Sequence, residues 1–257
     1  MLGNKSIKKN GQVVVWIIVA IALFALALVI FFITRSPKGT TIEANYDPQG
    51  YIKQCITYDV LTFVDKISFQ GGFENPLSKI VFNNESITYL CKNEGNFKTC
   101  INQHPMLISE ITDEIKNKLK SNIEDCFIQL ETSLKEKNIQ IESKAMTYNV
   151  ELAPRRIIIN IDKDMTLKEK ESSQFIKNWR IDINHPLYNL ANVAIEITNQ
   201  EATYCYFEYA GFMMLYPDFL IKKRVLTEGT KIYTIVDVKS EKEFNMAIRS
   251  CVIPPGM

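Results

Sequence analysis

Histidine is nearly absent from this chain: its 257 residues hold two, His104 and His185. No two of the six cysteines form a Cys-x-x-Cys pair. A zinc centre of ordinary ligand spacing is therefore not expected, and no residue is assigned as a metal ligand. A charge excess of either sign is also lacking, since 30 Lys+Arg stand against 29 Asp+Glu. Without a basic field, the sequence gives no ground for a nucleic-acid partner. The chain has no Gly-x-Ser-x-Gly elbow, no His-Glu-x-x-His, no phosphate loop and no dinucleotide fingerprint. No catalytic or cofactor-binding residue is assigned, and no cofactor is expected. With 10 glycines and 9 prolines, both sparse, collagen and low-complexity chains are excluded. What remains, 46% apolar and 23% charged, has the make-up of a folded globular protein. His104 and His185 each precede a proline and read as residues of a helix start or the surface. Asp162 and Asp164 bracket a turn.

The longest feature is apolar. Val13 to Ile33 is a run of 21 uncharged residues, VVVWIIVAIALFALALVIFFI. As a helix it would be ~31 Å long, the thickness of a bilayer's hydrocarbon core. It ends in Phe31-Phe32-Ile33-Thr34-Arg35, which lacks the small residues of a signal-peptidase site, so a retained signal anchor is the expectation. Residues 1–35 carry Lys5, Lys8, Lys9 and Arg35 and no acid. Three lysines before the span favour a cytoplasmic N-terminus, with the bulk of the chain outside the cell membrane. The expected order is a basic segment 1–12, a transmembrane helix 13–33 in contact with lipid, a polar linker 34–46 and an extracytoplasmic domain 47–257.

All six cysteines follow the span. An even count beyond a membrane anchor points to disulfides in an oxidising space. Sequence alone does not choose among the pairings. Local pattern favours Cys91 with Cys100, across a hairpin whose turn is Asn93-Glu94-Gly95-Asn96. Cys55 and Cys126 both fall on apolar helix faces, which suits a helix–helix bridge. Cys205 and Cys251 are then left to join two C-terminal strands.

The domain reads as α+β, with a long helix packed on an antiparallel sheet and with 47–135 and 136–257 as candidate subdomains. Asp47-Pro48 opens a first helix whose stripe is Ile52, Ile56, Val60, Phe63 and Ile67, and Gly71-Gly72 closes it. Pro105 opens a second, running to about Lys135, with the stripe Ile108, Ile111, Ile115, Leu119, Ile123, Cys126, Leu130 and Leu134. The period then becomes two in Tyr148–Leu152, Ile157–Ile161, Met165–Leu167 and Trp179–Ile183. Pro154 and Ser172-Ser173-Gln174 punctuate these runs, which read as a meander with one buried face. Pro186 opens a third helix striped by Leu187, Leu190, Ala194 and Ile197. Strands are expected near Tyr204–Tyr209, at Lys231–Val238 and at Phe244–Val252. Tyr204, Tyr206, Tyr209 and Tyr216, with Phe207 and Phe212, are either strand tyrosines or a partner surface. Asn84-Glu85-Ser86 is a glycosylation sequon on the exported side.

Several segments together are familiar. They are Lys9-Asn10-Gly11-Gln12 before the span, Cys55 in a helix closing with Phe69-Gln70-Gly71-Gly72, Leu215-Tyr216-Pro217-Asp218, Gly229-Thr230-Lys231-Ile232-Tyr233, and Arg249-Ser250-Cys251-Val252-Ile253-Pro254-Pro255-Gly256. The set resembles a group of uncharacterised single-span membrane proteins of small-genome archaea. That resemblance implies a membrane location and an archaeal source, and no activity. The N-terminus also resembles an archaeal prepilin signal, which implies processing near Gly11 and a homo-oligomeric filament. The first reading is thus a membrane-anchored binding or structural protein of cell-surface assembly, whose partners are other membrane or surface proteins. A pilin-like subunit is the second. An extracytoplasmic enzyme is the third, with no residues to carry it.

Overall fold

Helix α1 (Pro48–Phe69) forms where the stripe places it. Ile52, Ile56, Val60, Val64 and Ile67 are inaccessible to solvent and Phe63 nearly so. At its end Gly71 (φ 85°) and Gly72 (φ 101°) adopt left-handed backbone. Their N–H groups reach back to Ser68 O (3.3 Å) and Ile67 O (2.7 Å), satisfying the helix's last carbonyls. A Cβ on Gly72 would lie 2.7 Å from Ile111 Cγ1, so the glycine is also needed for close approach to the next helix. These coordinates come from a computed structural model that describes residues 47–169 and 172–252. The chain divides after Asp47 into two units, the second of which, Pro48–Met257, carries the fold described here. The expected span Val13–Ile33, the segments 1–12 and 34–46, and the Gly11 processing position lie outside the described residues. Among the described residues no helix is long and apolar enough to cross a membrane.

Helix α2 (Leu107–Glu136) runs antiparallel to α1. Tyr51 bonds Gln129 (3.4 Å) and Asn122 bonds Asp59 (3.0 Å). Between those two contacts Cys55 is disulfide-bonded to Cys126. Ile111, Ile115, Leu119, Ile123, Cys126, Leu130 and Leu134 are buried as the spacing requires. The helix starts two residues later than Pro105, however, and its first buried residue is Leu107; Ile108 is only half-buried.

The strands of the described residues form three sheets. The largest takes β1 (Lys79–Phe82), β2 (Glu85–Lys92), β3 (Ile101–Asn102), β10 (Phe219–Val225), β11 (Lys231–Asp237) and β12 (Glu243–Arg249), in the order β1-β2-β12-β11-β10 with β3 also on β2. β12 and β2 are parallel, with Ala247 opposite Tyr89, so residues from both 47–135 and 136–257 share this sheet. One face carries Ile221, Tyr233, Ile235, Phe244 and Met246, all buried, on the side packed by α1 and α3 (Leu187–Tyr204). The expected hairpin around Cys91 is present, with Cys91 bonded to Cys100. Its second strand begins only at Ile101, because Asn93 closes a wider loop: its Oδ1 accepts the Gly95 N–H and its Nδ2 donates to Thr99 O.

The single meander splits in two. β5 (Thr147–Ala153), β6 (Arg156–Asp162) and β9 (Trp179–Asn184) form one antiparallel sheet; β4 (Gln140–Ser143), β7 (Met165–Glu169) and β8 (Ser172–Ile176) form the other. Ser172-Ser173-Gln174 is therefore strand rather than punctuation; it is an exposed edge, where polar residues are suited. The long helix does pack on strands here, through Phe127 edge-on to Trp179 and the Tyr148 hydroxyl donating to Lys116 O (2.6 Å).

The tyrosine-rich stretch is not a strand. Helix α3 continues to Tyr204, Cys205 caps it in left-handed backbone (φ 57°), and a short helix α4 (Tyr209–Leu215) follows. The Glu208 carboxylate accepts the Gly211 N–H (3.2 Å) and so caps α4. Cys205, bonded to Cys251, thus ties a helix end, not a strand, to the segment after β12.

Candidate functional site

The corner where α3 ends is built on a buried carboxylate. Glu201 continues the α3 stripe one step beyond Ile197 and is wholly inaccessible. Its Oε1 accepts from the Tyr233 hydroxyl (2.5 Å) and its Oε2 from Lys231 Nζ (2.5 Å). Lys231 donates as well to Cys205 O (2.6 Å). Ser250 Oγ donates to Glu201 O (3.0 Å) and accepts the Cys100 N–H (3.1 Å), which joins two disulfide-bearing segments. Burial, reinforced by the neighbouring Glu201 charge, pushes the Tyr233 phenol far above its ordinary range. Every polar atom of this set has a protein partner, which makes it a fixed base for the surface beside it.

Phe207, buried against Tyr233 and Phe212, links that base to the surface. The flanking Tyr204, Tyr206, Met214, Leu215 and Tyr216 are all exposed, Met214 and Leu215 by 85% and 77%. Lys223 Nζ lies 5.0 Å from the Tyr206 ring and 5.1 Å from that of Tyr209, which is half-buried. The Tyr206 hydroxyl donates to Glu208 (2.5 Å), and Tyr216 lies against Phe212 (4.6 Å). Helix α4 also covers part of the β10 edge, where Ile221 N–H points at Met213 Sδ (3.1 Å) and Phe219 N–H at Tyr216 O (3.1 Å). Of the four tyrosines singled out from sequence, Tyr206 and Tyr209 share Lys223, Tyr216 closes the short helix, and Tyr204 is the last residue of α3.

A second polar cluster surrounds His185. Its Nδ1 accepts the Leu187 N–H (3.1 Å), so the proton sits on Nε2, which donates to Asp65 (3.0 Å). Both nitrogens are occupied, and burial depresses the imidazole pKa. The ring pins the start of α3 to α1. Burial works against ionisation of Asp65, but Lys242 (2.6 Å) and His185 outweigh it and hold its pKa low. Burial likewise opposes ionisation of Asp237, and is outweighed by hydrogen bonds from Ser240 and Arg155. His104 bonds Glu110 (2.6 Å) and lies against the Phe73 ring. Asp164 pairs with Lys144 (2.9 Å) in its turn. Asn84 is exposed in left-handed backbone (φ 66°) at the tip of the β1–β2 hairpin.

Sequence reading missed Lys231, Tyr233, Asp65, Lys242 and Asp237, because their ionisable side-chain partners lie 30 to 177 residues away. Glu201 alone had a local signal, as an acid at a buried-stripe position. A cavity of about 520 Å³ lies over β5, β6 and β9, lined by Asn149, Asn160 and Arg180, but the Arg180 guanidinium is taken up by Asp182 (3.0 and 3.1 Å). Among the described residues no three His, Cys, Asp or Glu side chains converge as a metal-holding group. No family model, no curated protein and no solved structure matches this chain.

Proposed function

We propose that the chain is a membrane-anchored, extracytoplasmic binding module that engages another surface protein through the α4 corner. The observation that carries this reading is the exposed Tyr204, Tyr206, Met214, Leu215 and Tyr216 on a base fixed by Phe207 and the buried Glu201 network. Tyrosine and methionine are enriched at interface centres, and a rigid base lowers the entropy lost on binding. The apolar run Val13–Ile33 supplies the anchor, and the three disulfides suit an oxidising compartment. The resemblance to single-span archaeal membrane proteins agrees with this location. A photo-crosslinking residue at position 215, with position 128 on α2 as the comparison, tests the surface in intact cells. One discrete adduct with a different protein from position 215 alone supports the reading. Labelling equal at the two positions removes it.

A pilin-like subunit is the second reading, favoured by Lys9-Asn10-Gly11-Gln12 immediately before the apolar run. It requires cleavage next to Gly11, read from the mass of the mature N-terminus, and ladders of self-adducts in the same crosslinking experiment.

A further inference from the structure

The large sheet curls enough for side chains of its two end strands to touch. β1 and β10 stand at opposite ends of the strand order, yet the Arg224 guanidinium lies 5.2 Å from the Phe82 ring. The face turned away from α1 and α3 is therefore the inside of a cup. Its depth is apolar: Ile87, Tyr89, Ile232 and Ala247 are buried there, with Ile80, Phe82 and Leu226 packed against them. Its mouth holds a cavity of about 320 Å³, within the usual size of a small-molecule site. Phe69 and Phe82 form the sides.

The polar lining is selective in what it leaves unused. Thr234 donates to Asn245 Oδ1 (2.6 Å), and Asn245 Nδ2 donates to Phe69 O (3.2 Å), so these two satisfy one another and the backbone. Lys223 is turned onto the rings of Tyr206 and Tyr209. Lys222, on the same rung as Thr234 and Asn245, has no ion-pair or hydrogen-bond partner among the described residues. Arg224 offers its donors from above Phe82. Glu243, on the next rung, is the acid of the lining. Two cations and one anion leave a single positive charge at the mouth of an apolar cup.

We propose that this cup binds a small amphipathic monoanion, with a carboxylate held between Lys222 and Arg224 and a ring or short chain seated between Phe69 and Phe82. Glu243 selects against a second negative charge on the ligand. The site is separate from the α4 corner and goes beyond the partner-binding reading, which stands or falls without it. The test uses the full chain with isoleucine δ1-methyl labelling, titrated with phenylacetate and with its uncharged counterpart phenylacetamide. Saturable shifts at Ile87 and Ile232 are expected from the acid, with the amide at least about tenfold weaker, as loss of a charge-assisted contact implies. Lys222→Ala and Arg224→Ala should each abolish most of that discrimination, while Lys120→Ala, on the exposed face of α2, should leave it intact. Equal binding of acid and amide by the unaltered chain overturns the proposal. So does binding without shifts at Ile87 and Ile232, an absence of binding, or an acid preference that survives both substitutions.

Discussion

His185 links pH to stability in a direction that its environment fixes. Burial lowers its pKa in the folded chain, so below about pH 6.5 the unfolded chain takes up a proton that the folded chain refuses. Its stabilising contribution is complete above that pH and is lost as pH falls towards the depressed value. Asp65 and Asp237 act with the same sign at lower pH, because their folded pKa values are held down. Their contribution is present above about pH 4 and is lost as pH falls through those depressed values. Urea-unfolding free energies measured from pH 8 to pH 3 should therefore decline in two stages. His185→Gln should flatten the first and spare the second; a variant that keeps both stages would show that the imidazole does not titrate as described. Glu201 is the other residue with leverage. Glu201→Leu strands the Lys231 ammonium, whose side chain is 14% exposed, and should destabilise by about 3–5 kcal/mol. Adding Lys231→Met and Tyr233→Phe removes the stranded groups and should restore most of the loss, since a buried polar set exchanged as a whole for apolar groups is often neutral. A single variant as stable as the parent would mean that water reaches the pair.

The helices were legible element by element because each carries a stripe at three- and four-residue steps and a punctuating proline or glycine. α1 and α3 bury every stripe residue named for them, and α2 departs only at its first turn. The sheets were less so. β2 meets β12 in parallel across more than 150 residues, and nothing local encodes such a pairing. β8 is polar because it is an exposed edge, so it lacked the alternation that marks β5, β6 and β9. Tyr204–Tyr209 has the aromatic content of a strand, but left-handed Cys205 and the Glu208 cap turn it into the joint between two helices. At the α4 corner the tyrosines were readable as a group, while the base beneath them depended on distant Lys231 and Tyr233. The α2 stripe gives the sharpest test at this scale. Leu119 is fully buried at its centre, and Leu119→Asp would bury an unpaired charge or force its protonation, costing several kcal/mol. Lys120, exposed beside it, should accept Asp with a change of within about 0.5 kcal/mol. Lys118 is a poorer control, since it bonds Glu74 and lies 5.5 Å from the Phe63 ring. Thermal unfolding of the two variants followed by near-UV circular dichroism makes the comparison; matched melting temperatures would mean that α2 is not packed as described.

At the scale of the whole chain, the disulfides bind distant stretches together and bear on the proposed location. Cys55–Cys126 closes a loop with a sequence separation of 71, Cys205–Cys251 one of 46 and Cys91–Cys100 one of 9. On the chain-entropy model these restrict the unfolded chain by about 4, 4 and 3 kcal/mol respectively. Together they rival the net stability of a typical domain, ~5–15 kcal/mol. Such cross-links suit a compartment where thiols are oxidised, which supports the proposed exported location. The charge pattern supports the same proposal independently, because Lys5, Lys8 and Lys9 precede the apolar run, which favours a cytoplasmic N-terminus if that run spans a membrane. Two experiments on native cells therefore have to agree. Non-reducing peptide mapping should recover all three cross-linked peptide pairs, with no cysteine open to alkylation before reduction. A membrane-impermeant protease added to intact cells should remove the region after residue 35, and cell lysis should not be needed for cleavage. Protection until lysis, together with six alkylatable thiols, would place the domain in the cytoplasm and withdraw the surface-protein reading. Protection with three intact disulfides would be a different result: an oxidised domain shielded from the protease by a partner or a surface layer. Repeating the digestion after substitutions at Met214 and Leu215 then separates the two causes, because only shielding by a partner docked at the α4 corner depends on those side chains.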